Sequence, residues 1–222
     1  ALDDLLTPEL QQEMINNNRF EQPQPLLPPP PPFTLEKYNH HVKKLLEYTR
    51  NHLTTTEMAK YILQTTAIQP PLPNRILFLS GKDEEAMSPD YMRCLLLHGF
   101  KELYKTNCHE YPLLVHMYDD YDDSASYGKG YGRGMTYSKN LNKTIHRAPI
   151  QDTPETIQKQ IENQEYDLII YGSLMRGLPF LDKVKKHYDP KKVIMICGED
   201  IKGKRKWRNY LSTCKTLANE GY

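Results

Sequence analysis

The chain has 222 residues, with 29 Lys and Arg set against 28 Asp and Glu. That near-neutral balance argues against general nucleic-acid binding. No apolar run approaches the ~20 residues needed to span a bilayer, and the acidic start "ALDDLLTPELQQEM" lacks the basic-then-apolar order of a signal peptide.

Residues 1–33 differ from the rest. Thr7 is placed to cap a short helix whose first position is Pro8. Leu5, Leu6, Leu10 and Met14 offer that helix a narrow apolar face. The prolines Pro28 to Pro32 then demand extended polyproline II, with no backbone donors for a sheet. The segment is either a stiff spacer or an arm that docks on other protein subunits through Pro28, Pro30, Pro32 and Phe33.

Residues 34–74 read as a helical pair and linker. Leu35, Tyr38, Val42, Leu45, Leu46 and Leu53 recur close to helical spacing. "TTTE" at 54–57 has the form of a capping box, Thr54 reaching forward and Glu57 back. Met58, Tyr61 and Ile62 mark the second helix, and "QPPLPN" ends it. His40 and His41 have no further metal-ligand candidates at useful spacing, so no metal site is assigned.

From Arg75 to Tyr222 the pattern alternates strand and helix. "RILFLS" is the first predicted strand. Ser88-Pro89-Asp90 predicts a helix start, and Met92, Leu95, Leu96, Gly99 and Leu103 form that helix's inner stripe. His98 reads as a satisfied structural histidine. "PLLVHMY" (112–118) is the second predicted strand, followed by a polar, Gly- and Tyr-rich segment. Thr153-Pro154-Glu155 starts a helix carrying Ile157 and Ile161. "YDLIIYG" is the third strand, and Phe180, Leu181, Val184 and Tyr188 mark the next helix. "KKVIMICG" is the fourth strand. A last helix runs from about Arg205, with Trp207, Tyr210, Leu211, Cys214 and Leu217 inward and Gly221 as its stop. Short apolar strands alternating with amphipathic helices predict an α/β domain with a Rossmann-like open parallel sheet flanked by helices.

In such a sheet, ligands bind outside the carboxyl ends of the strands. The first strand is followed by Ser80-Gly81-Lys82-Asp83, the second by Asp119-Asp120-Tyr121-Asp122-Asp123, the third by Gly172-Ser173 and then Arg176, and the fourth by Gly198-Glu199-Asp200, so that all four polar ends are expected at one rim. Glycines there permit close backbone approach, and Ser, Lys and Arg supply donors. The candidate ligand-binding residues are therefore Gly81, Lys82, Gly172, Ser173 and Arg176, although βα turns favour the same residue types without any ligand. "SGK" lacks the spacing of a phosphate-binding P-loop. The segment 118–137 reads either as a Tyr-studded loop over the rim or as a partner-bound loop. "DDYDD" (119–123) reads as a hydrated acidic loop or a carboxylate metal site. "KGKRKWR" (202–208) places cations at a helix start, where they are unfavourable unless an anion is shared. Cys94, Cys108, Cys197 and Cys214 form no CxxC. They read as reduced, buried thiols of an intracellular or intravirion protein, cytoplasmic by default.

Three segments carry a resemblance: "CLLLHGFKELY" (94–104), "YGKGYGRGMTY" (127–137) and "YDLIIYGSLMRGLPFLDKVKKHYDPKKVIMICGED" (166–200). Together they resemble the N-terminal Rossmann-like half of GT-B-type glycosyltransferase-like proteins, an uncharacterised bacterial or large-DNA-virus type. In that architecture the first half holds the acceptor and a second Rossmann-like half holds the sugar nucleotide. The chain ends near where the second half would begin. The resemblance therefore implies either a piece of a longer protein or a single-domain relative without the donor half. It implies a sugar or nucleotide-sugar ligand, with Lys82 and Arg176 binding phosphate and Ser173 a hydroxyl. Glu199 or Asp200 would orient an acceptor or act as base. No specific cofactor is implied. The competing expectation is a structural or assembly protein, such as a virion component, that uses an enzyme-derived fold and the N-terminal arm to bind neighbours.

Overall fold

The computed structural model describes residues 7–17, 34–66, 68, 72–82, 90–122, 138–148, 153–197 and 203–222. The chain divides into two compact units, Ala1–Thr54 and Thr55–Tyr222.

The first unit contains α1 (Pro8–Asn17) and α2 (Leu35–His52). Thr7 caps α1 as its position predicts, its Oγ1 accepting from the Leu10 N–H at 3.3 Å. Thr34 caps α2 in the same way, accepting from Lys37 at 3.2 Å. Lys37 Nζ also pairs with Glu13 of α1 at 3.2 Å. No residue of α2 is buried, and Leu35, Tyr38 and Leu46 are exposed on it. At 100° per residue, Leu35, Tyr38, Val42, Leu45, Leu46 and Leu53 share one stripe. The proposed partner residues Pro28, Pro30, Pro32 and Phe33 lie outside the described residues.

The second unit is a four-stranded, all-parallel open sheet flanked by helices. Its strands are β1 (Ile76–Leu79), β2 (Cys108–Tyr111), β3 (Leu168–Tyr171) and β4 (Val193–Met195), in the order β2-β1-β3-β4. Its helices are α3 (Thr55–Thr65), α4 (Tyr91–Tyr104), α5 (Lys143–His146), α6 (Pro154–Glu162), α7 (Leu181–His187) and α8 (Lys204–Asn219). Leu79 stands opposite both Tyr111 and Tyr171, so the three strands end level.

Side chains alternate across the sheet. Ile76, Phe78, Leu168, Ile170 and Ile194 face α4 and α3, packing with Leu97, Phe100, Ala59 and Leu63. Leu77, Leu79, Ile169, Tyr171 and Val193 face α6 and α7, packing with Ile157, Ile161 and Val184. Leaving β1, the chain moves towards β2 on one face. It then returns past β1 to β3 on the other, as crossovers of a single hand require.

The two predicted helices of residues 34–68 form but belong to different units, because α3 lies along α4. Gly99 makes that seam possible: a Cβ there would stand 2.1 Å from the Thr55 carbonyl oxygen. The neighbouring His98 is satisfied as expected, its Nδ1 2.8 Å from Thr55 Oγ1. The helix α3 begins at Thr55, and Glu57 pairs with Lys60 at 2.6 Å.

The second strand is a correction. Residues 112–118 are not a strand; the ladder is made by Cys108–Tyr111 and stops at Pro112, which has no N–H to donate. Val115–Met117 is a short 3-10 turn. The apolar run beyond Pro112 exists because Leu114, Met117 and Tyr118 are buried in the core beside α4, and a buried connection has the same hydropathy as a buried strand.

Two further corrections concern helix ends and faces. The cap of α4 is Asp90 itself, accepting from the N–H groups of Met92 and Arg93, while Ser88 and Pro89 lie outside the described residues. On α8 only Leu217 of the expected stripe is buried; Trp207 and Leu211 are 45% and 38% exposed. Other readings are borne out directly. Thr153 caps α6 with Pro154 in its first turn, and Gly221 follows α8 with φ +92°.

Histidines give this unit a pH dependence. Burial drives the His116 imidazole down to about 4, with the Arg93 guanidinium adding to the shift. His98 and His146 are also lowered, chiefly by burial. The unfolded chain binds these protons near pH 6.5, whereas the folded chain resists them. Stability is therefore complete above pH 6.5 and is lost as pH falls towards 4. Between pH 6.5 and 5, His116 alone should remove about 2 kcal/mol. Urea denaturation across that range measures the loss, and a His116→Gln variant should show a visibly shallower slope.

Candidate functional site

The carboxyl ends of β1 and β3 lie side by side where α4 and α7 leave towards opposite faces. This is the topological switch point, where open α/β sheets place ligands. Gly81, Lys82, Gly172, Ser173 and Arg176 all meet there.

The segments after the strands are stitched together. The Ser80 N–H donates to Tyr111 O at 2.8 Å, linking the ends of β1 and β2. The Lys82 N–H donates to Arg176 O at 3.0 Å, linking the loops after β1 and β3. The Leu174 N–H donates to Ile196 O at 3.3 Å, linking the loop after β3 to the exit of β4.

That stitching explains the glycines. Gly81 has φ +138°, and a Cβ there would stand 2.7 Å from Arg176 Cβ. Gly172 covers the Phe78 ring, whose Cζ would be 2.2 Å from an added Cβ. Gly177, at φ +107°, lies under the aliphatic stem of Lys82. The close approach that requires small residues at 81, 172 and 177 is made by the chain's own atoms.

Polar groups at the rim are tied in the same manner. Ser173 is fully buried, and its Oγ accepts from the Arg176 N–H at 3.3 Å. Arg176 Nε donates to Asp90 Oδ2 at 3.0 Å, an ion pair in which the Asp90 side chain is 11% exposed. The other Asp90 oxygen caps α4. A carboxylate of the protein thus occupies the positive end of that helix, the place where doubly wound folds commonly seat a phosphate. Lys82 carries its ammonium on an exposed side chain at the same edge.

Beneath this rim lies a buried polar layer that sequence patterning does not reveal. Arg93 is completely buried and donates from Nη1 to Ser80 O at 2.8 Å. Cys94 Sγ lies 3.5 Å from His116 Nε2. Cys94 is fully buried, and that burial pushes its thiol up to about 12, which disfavours the nucleophilic thiolate. Tyr118 donates to Glu110 Oε1 at 2.6 Å, and burial raises its phenol far above the ordinary range.

A separate open groove of about 300 Å³ runs between the loop after β3 and α8. It is lined by Leu174, Met175, Lys206, Asn209, Tyr210 and Thr213. Sequence spacing predicts Tyr210 as a core residue, Lys206 belongs to the basic run 202–208 that suggests a shared anion, and the other four give no signal.

The acidic segment expected directly at the end of the second strand instead follows the 3-10 turn, with residues 112–118 between it and the end of β2, and is used structurally where it is described. Asp119 Oδ1 accepts from the Lys143 N–H at 3.0 Å. Asp120 pairs with Lys143 Nζ at 2.7 Å, and the Lys143 hydrogen bond holds its carboxyl below the usual range. Among the described residues no group of three or more His, Cys, Asp or Glu side chains could hold a metal ion. No described helix is long and apolar enough to cross a membrane. Glu199 and Asp200, and residues 123–137 of the Tyr/Gly loop, lie outside the described residues. No protein-family model, curated protein or solved structure matches the chain.

Proposed function

We propose that the chain is a glycosyltransferase-like α/β module that binds a sugar phosphate or nucleotide sugar at the carboxyl rim of its sheet. One observation carries this: the Lys82 N–H to Arg176 O bond brings the loops that bear these two cations together at the β1/β3 switch point, with the Lys82 side chain exposed there. Because Asp90 already covers the start of α4 and pairs with Arg176, the phosphate is assigned first to the exposed Lys82 ammonium, with Arg176 contributing only by exchanging Asp90 for the ligand. The neighbouring groove supplies Asn209, Thr213 and Tyr210, groups suited to sugar hydroxyls and a flat ring face. Glu199 or Asp200, following β4 in sequence, is assigned to orient an acceptor hydroxyl or take its proton.

Titration calorimetry of the full chain with UDP-glucose, GDP-mannose and the matching sugar phosphates tests the proposal. Saturable heat is expected with at least one of them. Loss of one charge-assisted contact in Lys82→Ala should weaken it roughly tenfold or more, with an unchanged melting temperature. No heat from any of these ligands would overturn the assignment.

A second role, in assembly, is favoured by a different observation: α2 is amphipathic along its whole length and buries none of its residues. Under this role, deleting residues 1–53, which removes the proline-rich arm and α2 together, abolishes association seen by light scattering while the sheet unit stays folded. Unchanged association would remove it.

A further inference from the structure

The four cysteines fall into two pairs of different character. Cys94 and Cys108 are buried, as expected of small hydrophobes, but Cys197 is exposed and Cys214 half-buried. Cys197 lies just beyond β4, and Cys214 sits in the second half of α8. They are 17 residues apart in sequence, with their sulfurs 3.7 Å apart. At that separation a modest side-chain rotation brings the sulfurs to the ~2.05 Å of a disulfide bond. No CxxC spacing announces the pair; the fold brings the exit of β4 against α8.

We propose that Cys197 and Cys214 form a redox-active dithiol that closes to an intramolecular disulfide by exchange with a small-molecule disulfide such as oxidised glutathione. Exposed Cys197 is the first nucleophile. Its thiolate attacks one sulfur of the small disulfide, forming a mixed disulfide and releasing one small thiol. The Cys214 thiolate then attacks the Cys197 sulfur and expels the second small thiol. The two protons pass to the released thiolates. The two electrons leave the protein pair and reduce the small disulfide, so the exchange balances.

The bond would join the exit of β4 to one wall of the groove. Ile196, beside Cys197, holds the Leu174 N–H, and Thr213, beside Cys214, lines the groove with Leu174. Closure therefore fixes α8 against the loop after β3 and cross-links the segment 198–213.

The test uses the full chain in buffers of graded reduced-to-oxidised glutathione ratio, quenched with acid and alkylated for peptide mass spectrometry. The expected product is a monomer with a Cys197–Cys214 cross-link and unmodified Cys94 and Cys108. Closing a loop of this length should raise the melting temperature by roughly 5–10 °C. Cys214→Ser should trap glutathione on Cys197, and Cys197→Ser should form neither bridge nor adduct at comparable rate. The proposal is overturned if the wild-type chain stops at a glutathione adduct, cross-links only between chains, or stays reduced in the most oxidising buffer.

Discussion

Replacing Gly99 by alanine is expected to destabilise the sheet-containing unit by about 3 kcal/mol, the upper range for overpacking a tight interior. An ordinary Gly-to-Ala change within a helix would do the opposite, by roughly 1 kcal/mol. The sign is reversed because the added methyl meets backbone: Thr55 O at 2.1 Å and Thr55 C at 2.7 Å, with Ala59 Cβ at 3.2 Å. A flexible side chain could swing aside, but the first turn of α3 cannot move without losing its contact with α4. That seam carries Ala59 and Leu63 into the core beside Leu97 and Phe100, and the Thr55–His98 hydrogen bond closes it. Urea denaturation gives the magnitude. Trimming Thr55 to Ser or Gly should not rescue the variant, because the clash is with the carbonyl. A Gly99→Ala protein within 0.5 kcal/mol of wild type would mean that α3 does not lie on α4 this closely.

Lys101→Ala should cost about 3–4 kcal/mol, combining a cavity with two abandoned hydrogen-bond acceptors. Lys101 is 1% exposed. Its Nζ donates to Cys108 O at 2.6 Å and to His146 O at 3.0 Å. One side chain of α4 thus fastens the first residue of β2 and the last residue of α5. Lys101→Met separates the contributions: it retains the stem but not the donors, and should recover a little under half of the loss. Hydrogen exchange should show the opening first in β2 and at 141–147, before the centre of the sheet. Wild-type stability in the alanine variant would contradict this account of Lys101.

The elements of the sheet unit differ greatly in how far they can be read from the chain. The central strands announce themselves. "ILFL" and "LIIY" are continuous apolar runs because both faces of a parallel sheet are covered. Thr153-Pro154 marks α6 through local cap chemistry, which needs no tertiary partner. The strand β2 is hidden because it is an edge strand of sequence "CHEY". His109 is accommodated by the Arg75 side chain, 34 residues away, and Glu110 by the Tyr118 hydroxyl, which the buried connection folds back over the strand. More hydrophobic residues just downstream belong to a buried connection and outweigh it.

The rim shows a deeper limit. Gly81, Gly172, Ser173 and Arg176 indicate close approach and concentrated polarity at the switch point. Composition cannot distinguish approach by a ligand from approach by the protein's own Phe78 ring and Arg176 backbone. Asp90 likewise reads as one acidic residue at a helix start. Only the fold reveals that it also holds Arg176 across the crevice. The Cys197–Cys214 pair, joined across a β4–α8 connection, leaves no trace in spacing.

The most direct test of ligand binding at the switch point is amide chemical-shift mapping of the labelled full chain titrated with UDP-glucose and GDP-mannose. The account predicts saturable shifts at Lys82 and across Gly172–Gly177, extending to Asn209 and Thr213 and lost in Lys82→Ala. Absence of shifts at 82 and 172–177 with both nucleotide sugars, in a protein whose spectrum shows the sheet intact, would contradict it.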